Sequence, residues 1–167
     1  DLASRFAQNE GLYISTVNAV RALPDSVSRH VVDDMKALLT VTSNQAAQLA
    51  NHFVSADGTV RIAIICPNDL IKPVREAVRH RLSSLMAPSE YQRLIDQPEW
   101  DEQISVCGTE MVKGLEFDAV IVIEPGRIED DAPSRLVAAS DLYVATTRPT
   151  QKLVIVRTKE DERSLNI

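Results

Sequence analysis

Two short apolar runs constrain this chain more than any other feature. Residues 61–66 read RIAIIC, and residues 118–124 read DAVIVIE. Each is rich in β-branched residues and too short for a typical helix, so each predicts a strand. The unbroken apolarity of 61–66 predicts burial on both faces, the situation of a parallel sheet covered by helices above and below. The run at 118–124 is the strongest strand in the chain. Between and around these runs lie segments with helical spacing, and strands alternating with helices imply α/β units and a mostly parallel sheet. On such sheets, ligands are expected at loops beyond the carboxyl ends of the strands.

The remaining chain fits that alternation. Residues 2–8 read as the end of a helix closed by Gly11, residues 12–17 and 20–23 as short strands, and Pro24-Asp25 as a turn. Residues 29–32 form a further candidate strand. Ser43 is an expected N-cap for a helix running to Phe53, with Ala46, Leu49, Ala50 and Phe53 at helical spacing; an earlier start near Asp33 is the alternative. Asp57-Gly58 marks a turn. Asn68 is the expected cap of a helix whose apolar stripe is Leu70, Val74, Ala77, Val78, Leu82 and Leu85, with Pro73 tolerated in its first turns. Its other side, with Lys72, Arg75, Arg79 and Arg81, reads as a solvated face. A short helix over 88–95 ends at Pro98, and 103–107 is a strand. Pro125-Gly126 closes the strand at 118–124, and 127–133 reads as a polar loop. Ser134 caps a helix to about residue 147, 152–157 forms the last strand, and a charged, mobile tail follows.

Composition bounds the function classes. With 44% apolar and 25% charged residues the chain belongs to ordinary soluble globular proteins and has material for one core, so 1–167 is read as one domain. No apolar run approaches the roughly 20 residues a bilayer needs, and no secretory signal is present, so a cytoplasmic location without membrane contact is expected. The chain starts at Asp1 rather than Met and reads as a fragment of a larger protein. A net charge of −6 argues against strong nucleic-acid binding by this domain alone, because phosphate neutralisation needs clustered Lys and Arg. Cys66 and Cys107 end apolar runs and read as buried, reduced thiols. His30, His52 and His80 are scattered and give no metal-ligand pattern, so no metal is expected on this chain.

Two segments carry chemistry. The first, KGLEFD at 113–118, is a Lys-Gly-Glu loop leading into the strongest strand. Gly114 permits a tight backbone path and close ligand approach. Leu115 and Phe117 are expected to anchor the loop while Glu116 faces outward, where a carboxylate accepts a hydrogen bond from a ribose hydroxyl. The second segment, LYVATTRPTQKL at 142–153, reads as a helix ending at Arg148, a turn and a strand, since Pro149 disfavours helix at the residue before it. That puts Arg148 at an element boundary, where its always-charged fork suits phosphate.

In this order and context the two segments resemble the fifth and sixth motifs of UvrD/Rep-like superfamily 1 helicases. The distinctive residues lie between Lys113 and Leu153; the rest agrees in layout. The compact form, with Glu124-Pro125 and only a brief link to Leu142, is most similar to the HelD-like branch. The resemblance implies a three-layer RecA-like domain of the P-loop NTPase class, the second of two that sandwich ATP. The first RecA-like domain of the same polypeptide would bring the phosphate-binding loop and the carboxylates for Mg²⁺. By resemblance, Arg148 is the catalytic arginine finger to the γ-phosphate, Gly114 and Glu116 line the nucleotide with Glu116 near the ribose, and Lys113 has a structural or electrostatic role.

Departures matter as well. Many relatives carry Thr-x-His before the Lys-Gly, touching nucleic acid; here the stretch is GTEMV at 108–112, with Glu110 replacing the His. Thr109 stays a candidate contact to a backbone phosphate, and Glu110 puts the usual single-strand contacts in doubt. Thr146 and Pro149 replace the commoner Leu and Ala. No G-x-x-x-x-G-K-[ST] sequence is present. The chain alone is therefore expected to be inactive, its ATP hydrolysis and DNA helicase activity belonging to the full-length protein. The alternative is an ATP-driven factor that binds and recycles RNA polymerase with little unwinding.

Overall fold

The computed structural model describes residues 26–52, 60–89, 103–147 and 149–164. The expectations for residues 2–23, for the turns at Pro24-Asp25 and Asp57-Gly58, for Phe53 and for the helix beyond Ser89 fall outside them. So does Arg148.

Among the described residues the order is β1 (Val27–Val32), α1 (Met35–His52), β2 (Ile62–Ile65), α2 (Ile71–Leu85), β3 (Ile104–Cys107), β4 (Phe117–Ile123), α3 (Pro125–Asp131), α4 (Arg135–Thr147), β5 (Pro149–Thr158) and α5 (Lys159–Ser164). The strands form one sheet in the order β1-β5-β4-β2-β3, and each neighbouring pair is parallel. The two apolar runs that predict buried strands become β2 and β4, side by side near the centre, with all four β2 residues buried.

Successive strand residues point to opposite faces, and both faces are covered. On one, Ile62, Ile64, Ala119, Ile121, Ile123, Val154 and Val156 pack with Leu38, Ala46 and Leu49 of α1 and Val74, Val78 and Leu82 of α2. On the other, Ala63, Ile65, Val120, Val122, Leu153 and Ile155 pack with Val112, Ile128, Leu142 and Ala145. Each fully buried Val, Leu or Ile contributes about 1.5–3 kcal/mol. The result is the three-layer α/β arrangement expected from the sequence, with the described sheet parallel throughout. No helix among the described residues is long and apolar enough to cross a membrane.

Several local expectations change. Helix α1 takes the earlier start: Asp34 caps it by accepting the Ala37 N–H at 2.8 Å, while Ser43 is buried within the helix and donates to the Thr40 carbonyl. Asn68 caps nothing; it opens a 3₁₀ turn, Asn68–Leu70, without a side-chain cap. Along α2 the stripe holds from Leu70 to Leu82, but Leu85 is exposed. Arg75 leaves the solvated face to donate to the Val106 carbonyl at 3.1 Å, along β3. Ser134 does cap α4, accepting the Val137 N–H at 3.3 Å. Strand β5 begins at Pro149 rather than at residue 152, with no separate turn in the described chain.

The expected polar loop at 127–133 and mobile tail are instead helices α3 and α5, and they depend on each other. Glu124, with φ +48°, ends β4 in the left-handed region; its carboxylate accepts both the N–H and the hydroxyl of Thr158. Pro125 then begins α3, where its fixed φ suits a first turn. The N–H of Arg127, in the first turn of α3, is met by Asp161 from α5 at 3.0 Å. In return the Thr158 hydroxyl accepts the Asp161 N–H at the start of α5. The start of α3 is therefore capped from 34 positions away, and the start of α5 by Thr158, which is itself held by Glu124 from 34 positions away.

Both cysteines are free; Cys66 is buried and Cys107 half-buried. Burial pushes the Cys66 thiol up to about 12 and the Cys107 thiol up to about 11.

Burial, reinforced by Glu124, raises the Asp161 carboxyl from an ordinary 3.8 to about 6, against the opposing N–H groups of Arg127 and Gly126 and the charge of Arg157. The folded state therefore keeps a proton that the unfolded state loses. Stability should fall as pH rises through that interval, by about 1–2 kcal/mol, because solvent screens part of the shift. Asp161→Asn keeps an oxygen for the Arg127 N–H and should flatten that fall, checked by urea unfolding at pH 4, 5, 6 and 7.

Candidate functional site

Strands β4 and β5 pair in parallel with Phe117 opposite Pro149, so what precedes each strand opens on the same edge of the sheet. Residues 113–116 precede β4. Helix α4 ends at Thr147, immediately before Arg148, which lies outside the described residues. The two motif segments thus converge on the amino-terminal edge, not on the carboxyl-terminal edge that the general rule for such sheets predicts. The connection explains the difference. β3 and β4 are parallel with β2 between them, so the chain must return along one face after Cys107. It does so through a 3₁₀ turn, Thr109–Val112, whose Val112 is buried under α4 in the second half of the core.

The edge is fastened by a residue to which the sequence assigns no role. Asp118 Oδ2 accepts the Arg61 N–H at 2.9 Å, and Oδ1 accepts from the Gln151 amide at 3.2 Å. One carboxylate therefore holds the starts of β2, β4 and β5 together. It sits where the register slips: Phe117 pairs with Pro149 but Ala119 with Lys152, so β5 carries one extra residue there.

The loop itself is open. Gly114 has φ +82°, and a Cβ on it would meet nothing within 4 Å. The glycine is required by backbone conformation rather than by crowding, and the free space leaves room for a ligand to approach. Glu116 is exposed, as expected. Phe117 is buried and anchors the loop, but Leu115 is 42% exposed, and the second anchor is Val112 instead. Lys113 pairs with Asp141 on α4 at 3.0 Å.

Thr109 stands elsewhere. It follows the carboxyl end of β3, is buried, and donates its hydroxyl to Asp141 Oδ2 at 3.2 Å. Glu110 and Met111 beside it are exposed. A cavity of about 240 Å³ lies between α2, β3 and the returning segment, lined by Arg61, Arg75, Glu110, Met111, Leu115 and Phe117 among others. Among the described residues, no group of three or more His, Cys, Asp or Glu side chains is placed to hold a metal ion.

No protein-family model and no curated protein matches the chain. Solved structures do. One is the C-terminal domain of a possible DNA helicase from Lactobacillus plantarum WCFS1, with a TM-score of 0.56 at 17% identity, covering 93% of this chain and 83% of that one. The likeness establishes a shared fold.

Two substitutions probe this edge. Gly114→Ala should cost about 1 kcal/mol through its backbone angle alone. Asp118→Ala should cost about 0.5–1.5 kcal/mol by removing its hydrogen bonds to the Arg61 N–H and the Gln151 amide. Urea unfolding at neutral pH measures both, and an unchanged midpoint for Asp118→Ala would mean that the clamp contributes nothing.

Proposed function

We propose that this chain is the nucleotide-closing half of an ATP-dependent DNA helicase or translocase. The observation that carries the reading is the pairing of Phe117 with Pro149, which brings the Gly114 loop and the end of α4 to one edge. The shared fold with the C-terminal domain of a possible DNA helicase supports it.

In this reading Arg148 contacts the γ-phosphate of an ATP held mainly by the first RecA-like domain. Its guanidinium stabilises charge that spreads over the transferring phosphoryl oxygens. The exposed Glu116 carboxylate accepts from a ribose hydroxyl, and the open space around Gly114 lets the nucleotide come close to the main chain. Mg²⁺ would be held by carboxylates of the first domain and would neutralise phosphate charge. The described residues of this chain do not fit that task, since no suitable acidic cluster faces the edge. Thr109 is the weakest part of the set, because its hydroxyl is already engaged by Asp141.

The exposed Glu110 favours a second reading. A carboxylate beside the expected nucleic-acid path repels phosphate, which suits a factor that binds RNA polymerase and remodels it with ATP. Loss of strand unwinding, against loss of release of stalled polymerase, in an ATPase-dead full-length protein separates the two.

For the mechanism, Arg148→Ala in the full-length protein should lower ATP turnover by about 10³-fold or more. ATP affinity should stay within several-fold. Glu116→Ala should weaken nucleotide binding at equilibrium. Normal turnover in the Arg148 variant would remove that residue from the reaction.

A further inference from the structure

We propose that Asp141 is a positioning residue that locks the 113–116 loop to helix α4, so that the loop and the carboxyl end of α4 move as one body. The inference rests on the nucleotide-closing reading above and assigns a role within it to a residue that touches no substrate.

Asp141 uses both oxygens on one segment. Oδ1 meets the Lys113 ammonium at 3.0 Å, and Oδ2 accepts the Thr109 hydroxyl at 3.2 Å. These two partners bracket the 3₁₀ turn that delivers the loop to the edge. Beyond them the loop is sparsely held: Gly114 stands in open space, Leu115 and Glu116 are exposed, and the Leu115 N–H bonds only back to Val112. Among the described residues, the Lys113–Asp141 pair is thus the polar tie between residues 113–116 and any other element.

The other end of the tie is rigid. Asp141 is next to Leu142, which is 1% exposed, and one turn before Ala145, which is fully buried, so α4 is pinned to the sheet just after it. The same helix ends at Thr147 and hands the chain to Arg148. The pair contributes little to stability as such, because the Lys113 side chain is 55% exposed and solvent competes for it. What it fixes is geometry. Groups facing a reacting phosphate must be held to a fraction of an ångström, and loss of such placement appears in the chemical step more than in binding.

The test uses the full-length protein and steady-state ATP turnover. Lys113→Met and Asp141→Asn should each lower kcat by about tenfold with KM for ATP within about threefold, a coupling of the size found for contacting residues. The double variant should be no slower than the slower single one, and Lys113→Arg should restore most of the rate. Lys113 is solvent-facing, so its variants keep the proposal testable even where Asp141→Asn fails to fold. An unchanged kcat in Lys113→Met overturns the proposal. So do losses that multiply to about a hundredfold in the double variant, or a loss that merely tracks a lower unfolding temperature. Arg148-dependent turnover untouched by Lys113→Met removes this inference alone; absence of Arg148-dependent turnover in the wild-type protein removes the underlying reading with it.

Discussion

The candidate site depends on one fact of sheet assembly: β4 and β5 are neighbours running in the same direction. Their pairing sets Phe117 opposite Pro149 and so makes neighbours of two segments more than 30 residues apart in sequence. Had the pair run antiparallel, the two segments would lie about 20 Å apart, the length of a seven-residue strand. The parallel arrangement is itself enforced by burial. β4 is apolar on both faces, and only helices on both sides can keep water from it.

That logic also marks what could be read in advance. The strands at 62–65 and 117–123 and the face pattern of α2 were legible because hydrophobic periodicity is local. Helices α3 and α5 were not. Glu124 and Thr158, like Arg127 and Asp161, meet only after the sheet has formed, and no spacing rule pairs residues 34 apart. Ser43 misled for a related reason: a serine that caps and a serine that bonds back within a helix look alike until the neighbouring turns are known. In the candidate site, Gly114 and Glu116 were legible as a loop before a strand, and Lys113, expected to be structural or electrostatic, pairs with Asp141. The edge on which they open was not legible, because it depends on β2 lying between β3 and β4. Asp118 and Asp141 were missed because each acts by holding elements together, which residue type alone does not reveal.

The acidic character of the chain takes on a different meaning in this light. Asp118, Glu124, Asp141 and Asp161 do not form a film of solvated charge; each accepts hydrogen bonds from a main-chain N–H or a hydroxyl on a distant element. A net charge of −6 therefore says less about a repulsive surface than the bare count suggests, since part of it is committed to internal fastening.

The two free thiols, Cys66 just after β2 and Cys107 at the end of β3, carry a practical consequence. At neutral pH a thiol raised to about 12, or about 11, holds almost no thiolate, the form that alkylating reagents attack. Cys66 is also shut off from solvent. Covalent labelling of Cys66 must then wait for the strand ends to part, so its rate counts how often the centre of the sheet breathes, with no probe engineered in.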